Sequence, residues 1–404
     1  MRTLYTLIYV FAVSLLFSQS LELQGTIYDA ETGDPLPFAS VYFNSTTNGA
    51  VINQEGEFTI KVNPSFKELI ISFVGYKTIV YKVDITKLDQ FYRFEMDIDN
   101  NELEEVEVTS KRGDQWYYNL SEFTRNFIGY STSAKETKIL NPEVLQFNLD
   151  NKTSIFNVKA RAPLQIENKA LGYTIEYALE LYQQNLGDNK MVFLGYPKFR
   201  EMKGSKGKQK RWAKRRAKAY NGSPQHFFKS LYQDSIKENG FLINQLKRIP
   251  NPNYPTAEEI LIAKEQAREI YIAQKSRRSI LNLPDSIQNV LSRAREHKFI
   301  AVLDKNDLDY AQYITKQADK KLLLSFADYW HITYTKEKED EHYRPPGKLS
   351  NQSPGPQISI ISMTVADCLI NSEGVLNDPL AVLFEQYWSF EKVGDILPLD
   401  FKLK

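Results

Sequence analysis

Short runs of alternating apolar and polar residues, each closed by a turn, fill positions 21–96. Residues 23–28 and 57–62 keep a period of two. Ala39, Val41 and Phe43 face one way, and Ser40, Tyr42 and Asn44 the other. The stretches 29–33, 48–49 and 53–56 carry Gly beside Asn, Asp or Glu, residues suited to tight turns and positive φ. Positions 69–74 are apolar almost without a break, which predicts a central strand covered on both faces. With 78–83 and 92–96 this makes about seven short strands, at the spacing of a β-sandwich.

Beyond this block the pattern changes twice. From Tyr117 the first third reads as strands at 144–147, 155–160, 164–166, 174–181 and 191–196. The middle third reads as helices. Residues 206–220 are strong helix formers. Ser223 before Pro224 is an N-cap followed by a first-turn proline, opening a helix to Lys237 that Gly240 stops. Thr256 with Glu259 forms a capping box for a helix to about Gln274, and Asp285 opens another to about Glu296. The last third returns to strands at 311–314, 322–326, 330–334, 358–361 and 364–369, with a charged turn at 336–341, a Ser/Pro/Gly loop at 350–356 and a short helix at 387–394. The expected fold class is an all-β sandwich (21–97), an acidic linker (98–116), and an α+β domain with a helical middle (117–404).

Composition adds an address. Arg2 precedes an apolar run from Leu4 to Phe17, and Ser18-Gln19-Ser20 offers a small, polar cleavage site. That is the pattern of a secretory signal peptide over 1–20, since the run is short for a membrane span. After cleavage no transmembrane segment is expected, and the expected location is the periplasm or the outer-membrane periphery. No Cys follows the apolar run, so no lipid anchor is expected there. The one cysteine, Cys368, leaves the fold to rest on packing alone. A net charge of +1 selects no partner, so any electrostatic signal must be local.

Several phrases in the first block occur together at specific spacing: Gly25, Asp29, Gly33-Asp34-Pro35-Leu36, Ala39-Ser40-Val41, Gly49, Gly56-Glu57-Phe58 and Ser72-Phe73-Val74-Gly75-Tyr76. They resemble the carboxypeptidase regulatory-like domain, a transthyretin-like sandwich found at the N-terminus of Bacteroidota envelope proteins. Asn53-Gln54 stands where that family usually has Thr-Asp. Residues 103–109, LEEVEVT, resemble the segment that follows this sandwich in TonB-dependent receptors. The remaining chain lacks the long series of lipid-facing strands that a transport barrel needs. In the second part, Gly129-Tyr130-Ser131, Ile139-Leu140-Asn141-Pro142, residues 219–223 and Trp388-Ser389-Phe390-Glu391-Lys392 resemble Bacteroidota proteins that carry the same sandwich. That likeness implies no activity.

The family name invites a zinc peptidase reading, which the residues do not support. None of His226, His297, His331 or His342 begins a His-Xaa-Xaa-Glu or His-Glu-Xaa-Xaa-His motif. Gly222-Ser223-Pro224 is not a nucleophile elbow, and capping accounts for Ser223. Cys368 sits among apolar neighbours that make a thiol inert. The acids and amides at 97–101 read as linker rather than a calcium loop. No phosphate-binding or dinucleotide motif suggests a cofactor.

One local signal stands out. Residues 198–218 hold 11 Lys or Arg and a single acid, Glu201. On the expected helix, Lys208, Lys210, Arg211, Lys214, Arg215, Arg216 and Lys218 form a candidate anion-binding surface, with Trp212, Arg215 and Ala219 as its packed face. Anionic glycan, lipid head groups or an acidic envelope protein fit it; export argues against nucleic acid. The expected function is a non-catalytic envelope protein in which the sandwich is an adaptor and the second part binds or scaffolds. The competing class is a hydrolase of envelope glycan or peptide in the second part, which would need His226, His331 or Cys368 to meet carboxylates in a pocket.

Overall fold

The computed structural model describes residues 21–99, 113–188, 190–274, 283–345 and 352–403. The signal-peptide reading and the 103–109 segment fall outside them.

The first block is a sandwich of six strands: β1 (Glu22–Asp29), β2 (Ser40–Phe43), β3 (Glu57–Lys61), β4 (Glu68–Ser72), β5 (Ile79–Lys82) and β6 (Phe91–Met96). One sheet has the order β3-β1-β6, with β1 and β6 parallel; the other has the order β2-β4-β5. Val41, Phe43, Leu69 and Ile71 point into the core between the sheets. The alternate residues Tyr42 and Ile70 are buried as well. Their face is covered from outside, because the Tyr42 hydroxyl donates to Tyr196 O at 2.7 Å. The apolar run at 69–74 therefore records a docking surface as well as a core.

The second part opens with a helix, α1 (Asp114–Phe127), not with a strand. Leu120, Phe123 and Phe127 fall on one face, and they pack on a sheet built from β7 (Thr137–Ile139), β8 (Leu145–Asp150), β9 (Ile155–Ala160), β10 (Leu164–Asn168), β11 (Tyr173–Asn185) and β12 (Met191–Glu201). The order is β7-β10-β11-β9-β8, with β12 also paired to β11. Helix α2 (Lys206–Tyr220) has the bounds its sequence predicts, and α3 (Pro224–Tyr232) is shorter than expected.

Two strands interrupt the section read as helical. β13 (Phe241–Pro250) and β14 (Phe299–Asp307) pair across the helices α4 (Ala257–Gln274) and α5 (Asp285–Arg293). The capping box of α4 forms as expected: Thr256 N donates to Glu259 Oε2 at 2.7 Å, and Glu259 N to Thr256 Oγ1 at 3.2 Å. The remaining strands are β15 (Ile314–Lys316), β16 (Leu322–Leu324), β17 (Tyr329–Lys338), β18 (Pro356–Met363), β19 (Cys368–Ile370) and β20 (Val382–Gln386), followed by the short helix α6 (Tyr387–Phe390). They make sheets of order β14-β13-β17-β18-β20 and β15-β16-β19. β17 runs through much of the expected charged turn, and the expected strand at 311–314 is mostly a 3-10 turn, Tyr310–Tyr313.

The described residues of the second part thus include two apolar clusters. One lies between α1 and the β7–β12 sheet; the other holds Phe227, Phe241, Trp330 and Trp388. Residues after α6 return to the first cluster and then to the sandwich. Val393 N and Gly394 N donate to Phe127 O and Ile128 O at 3.0 and 2.9 Å, and Leu399 N to Ser45 O at 2.7 Å. Ser45 N also donates to Pro197 O at 2.9 Å, and Asn371 Nδ2 to Ser65 O at 2.9 Å. The sandwich is therefore docked on the second part through backbone as well as side chains.

Candidate functional site

Helix α2 lies across the turn between β10 and β11, and two of its residues hold it there. The Trp212 indole donates to Lys169 O at 2.9 Å. Its ring fills the space beside Gly172, whose φ of +72° lies in the left-handed region. Arg216 is buried. It donates to Leu171 O at 2.7 Å, Gly172 O at 3.0 Å and Glu201 Oε1 at 2.8 Å, with its guanidinium 3.9 Å from the Tyr173 ring centre. Arg215 is half-buried and pairs with Glu136 at 2.9 Å. The packed face is thus Trp212 and Arg216, with Arg215 and Ala219 at its edge. Arg216 belongs to the fold, not to the exposed anion-binding surface.

The remaining five predicted cations, Lys208, Lys210, Arg211, Lys214 and Lys218, are exposed. Among the described residues none of the five side chains makes an ion pair within 4 Å. Arg211, Lys214 and Lys218 follow at i, i+3 and i+7, so they share one stripe. The stripe borders an open groove of about 590 Å³ that Asn221 and Glu337 also line.

The side chains named for a hydrolase do not meet. His226 is buried on α3; its Nδ1 accepts from Gly222 N at 3.1 Å, and burial pushes its pKa down to about 4. Its ring packs on Tyr220, Phe241 and Tyr334. His331 pairs within the sheet opposite Asn244 and Ile360. Cys368 is buried on β19, its thiol 3.2 Å from Asn377 Oδ1, and burial raises its pKa. Ser223 caps α3 by accepting from His226 N at 3.2 Å. Among the described residues no group of three or more His, Cys, Asp or Glu is arranged to hold a metal ion.

A different polar site lies where 132–133, α2, the turn after β17, β18 and the segment from α6 onward converge. It is a cavity of about 220 Å³ whose lining includes Arg215, Lys218, Asp340, Gln357, Glu391 and Asp395. Thr132 N donates to Asp340 Oδ2 at 3.1 Å, and His342 reaches Asp340 Oδ1 through its amide at 2.8 Å and its Nδ1 at 2.9 Å. Burial opposes ionisation of Asp340, but these donors outweigh it and hold its pKa below the ordinary value. Burial raises the pKa of Asp395 to about 6, although Ser131 Oγ donates to it at 2.7 Å. Burial, then Asp395, Glu337 and Asp340, push Glu391 well above the usual carboxylate range. The Glu391 carboxyl has no hydrogen bond or ion pair among the described residues, and it keeps a partial opening to solvent.

Sequence reasoning did not find this cavity. Its members come from six separated segments, and local spacing joins only those on α2 and those from Tyr387 to Asp395. Two phrases of the second-part resemblance do meet in the fold: a Cβ at Gly129 would lie 3.0 Å from Lys392 Cβ.

Comparison with known proteins bears on the first block. Residues 23–108 match the model of the CarboxypepD_reg-like domain. No curated protein matches the chain. Among solved structures, a crystal structure of a protein of unknown function from Bacteroides fragilis NCTC 9343 aligns at 10% identity over 91% of this chain and 94% of that one, with a TM-score of 0.15. At that score the likeness carries no argument. The six-stranded sandwich and the match over 23–108 agree with each other and with the phrases from Gly25 to Tyr76: the N-terminal block is a carboxypeptidase regulatory-like domain.

Proposed function

We propose that this is an exported cell-envelope protein that binds an anionic envelope component through α2, with the sandwich as a rigid, non-catalytic adaptor. The observation that supports this most is the set of five exposed cations on a helix whose other side is fixed by Trp212 and Arg216. A fixed array of unpaired cations gains more from a multivalent anion than flexible side chains do, because less freedom is lost on binding. Anionic lipid head groups or an anionic glycan supply such an array. Export rests on the signal-peptide pattern at 1–20.

The test is co-sedimentation of the chain lacking 1–20 with vesicles of anionic and of neutral lipid, and with lipopolysaccharide. The variant changes Lys210, Arg211, Lys214 and Lys218 to Gln and leaves Arg215 and Arg216 in place, because both are held in ion pairs. Wild type pellets with the anionic targets, and less so as salt rises. Equal pelleting of wild type and variant rejects the reading.

A further inference from the structure

Strand β14 is the outermost strand of its sheet. It pairs with β13 on one side, and with no strand among the described residues on the other. All nine of its residues are exposed, and Phe299, Ile300, Val302 and Leu303 keep between 39% and 47% of their surface in solvent. Residues 299–303 pair with 250–246 without a bulge, whereas β17 reaches along β13 only to Leu246. The far half of β13 and β14 is therefore a two-stranded ribbon that runs beyond the sheet. One of its faces carries Ile249, Ile300 and Val302, the other Phe299 and Leu303. Such a ribbon is poorly stable in water by itself. Natural sheet edges are usually kept short, or broken in mid-strand by a charge, a proline or a bulge. β14 carries its charges at its ends instead: Lys298 precedes the apolar run 299–303, and Asp304 and Lys305 follow it.

We propose that β14 pairs antiparallel with β14 of a second copy of this chain, about a two-fold axis at Ala301, joining the two sheets edge to edge. The register follows from symmetry and charge. A two-fold axis between antiparallel strands sets one residue opposite its own copy, so the choices are few. With Ala301 on the axis, Lys298 stands opposite the second copy's Asp304, Phe299 opposite its Leu303, and Ile300 opposite its Val302. Each large apolar side chain meets another on its own face, and each charge meets its opposite. An axis at Ile300 would set Glu296 against Asp304 and Lys298 against Val302. An axis at Val302 would set Ile300 against Asp304 and Phe299 against Lys305. Within one chain Lys298 lies near the Phe299 ring and Asp304 accepts from Asn306, so neither charge is spent on an opposite one among the described residues.

Any extended strand could satisfy the outward backbone groups of β14. The self-complementary pattern is what favours a second copy. From Ala301 outward, both directions meet first a β-branched residue (Ile300, Val302), then a larger apolar one (Phe299, Leu303), then charges of opposite sign (Lys298, Asp304). A contact along one strand is small and therefore weak, so half-dimerisation is expected at about 10–100 µM chain. β14 shares no residue with α2, so this pairing does not depend on the anion-binding reading.

The experiment is sedimentation velocity of the chain lacking 1–20, from about 1 to about 300 µM, a range that brackets the expected midpoint. The expected result is monomer at the low end and dimer at the high end. Lys298→Asp and Asp304→Lys, made separately, each set like charges opposite one another and weaken the dimer about tenfold. An equimolar mixture of the two variants restores it, because each chain then meets the opposite charge in the other. Both positions are exposed, so neither change disturbs a core. A second measurement reads the register. Ala301→Cys joins two chains by a disulfide on mild oxidation, whereas Val302→Cys, opposite the second copy's Ile300, does not. Cys368 is buried and takes no part. A monomer at every concentration overturns the proposal and leaves the edge to a strand of another protein. A dimer indifferent to both charge reversals, a mixture that stays monomeric, or Val302→Cys cross-linking as fast as Ala301→Cys overturns it as well.

Discussion

Two charged groups in this molecule, the buried Arg216 and the half-buried Glu391, stand in opposite conditions. Arg216 has every direction filled: two backbone carbonyls, one carboxylate and an aromatic face. Glu391 has none of these and lies near other acids. A buried charge whose partners all come from the chain is part of the fold. An acid set near other acids, with no partner from the chain, is harder to ionise in the folded state, so its ionisation weakens the fold as pH rises. Sequence alone placed Arg216 in the functional set, and the contrast reverses that.

The sharpest way to break this comparison is at Arg216. Arg216→Met should cost about 3–5 kcal/mol, because it leaves the Leu171 and Gly172 carbonyls without their donor inside the protein. Urea unfolding measures it, and a loss under about 1 kcal/mol would show that the contacts contribute little. Gly172→Ala comes next, at about 2–3 kcal/mol: φ is +72°, and the added methyl meets the Trp212 ring. A thermal melt unchanged from wild type would sink that account of how α2 is seated.

Glu391 yields the opposite sign. Glu391 and Asp395 ionise less readily folded than unfolded, Asp395 moving from 3.8 to about 6. The folded chain therefore holds more protons, and these two groups lower stability as pH rises through about 4 to 6 and beyond. Each contributes a slope of at most about 1.4 kcal/mol per pH unit. Asp340 acts oppositely, losing its contribution as pH falls below the ordinary carboxylate value. Glu391→Gln should flatten the alkaline side of the stability profile and melt higher than wild type at pH 8. A profile that is unchanged there would mean that the carboxyl is already ionised or solvated. The smallest effect is expected on the outer stripe: Lys214→Gln should leave stability within about 0.5 kcal/mol, since it touches solvent alone.

What could be read from sequence followed from how local each signal is. The bounds of α2, the capping box of α4 and the β4 run depend on neighbours in the chain; the first two appear where expected, and the strand expected at 69–74 forms but ends at Ser72. α1 was hidden because Leu120, Phe123 and Phe127 precede a strand-rich block whose pattern dominates. β13 and β14 were hidden because each gains its partner across the α4–α5 insertion, and β14 exposes all nine of its residues, leaving no inward stripe to read. The five free cations were legible as charge. The division of α2 into held and free cations was not, because it depends on the β10–β11 turn beneath it. The cavity was least legible, since its acids approach one another only after β17, the 131–133 segment and the end of the chain have met.

The residues after α6 give the molecule an order of events. Asn168 Nδ2 donates to Gly394 O at 2.9 Å, Gln225 Nε2 to Leu399 O at 3.0 Å, and the Asp400 carboxylate accepts from Thr47. One strap of fewer than ten residues thus joins the sandwich, the β7–β12 sheet and α3, yet ribosomes make it after every element it joins. Each earlier unit can collapse on its own cluster during synthesis, and contacts such as Tyr42 to Tyr196 and Ser45 to Pro197 can form before the strap, which adds the last ties among the three. Clipping the chain just before Lys392 would consequently weaken the coupling between the modules, leaving it to the direct contacts of the sandwich with β11 and β12.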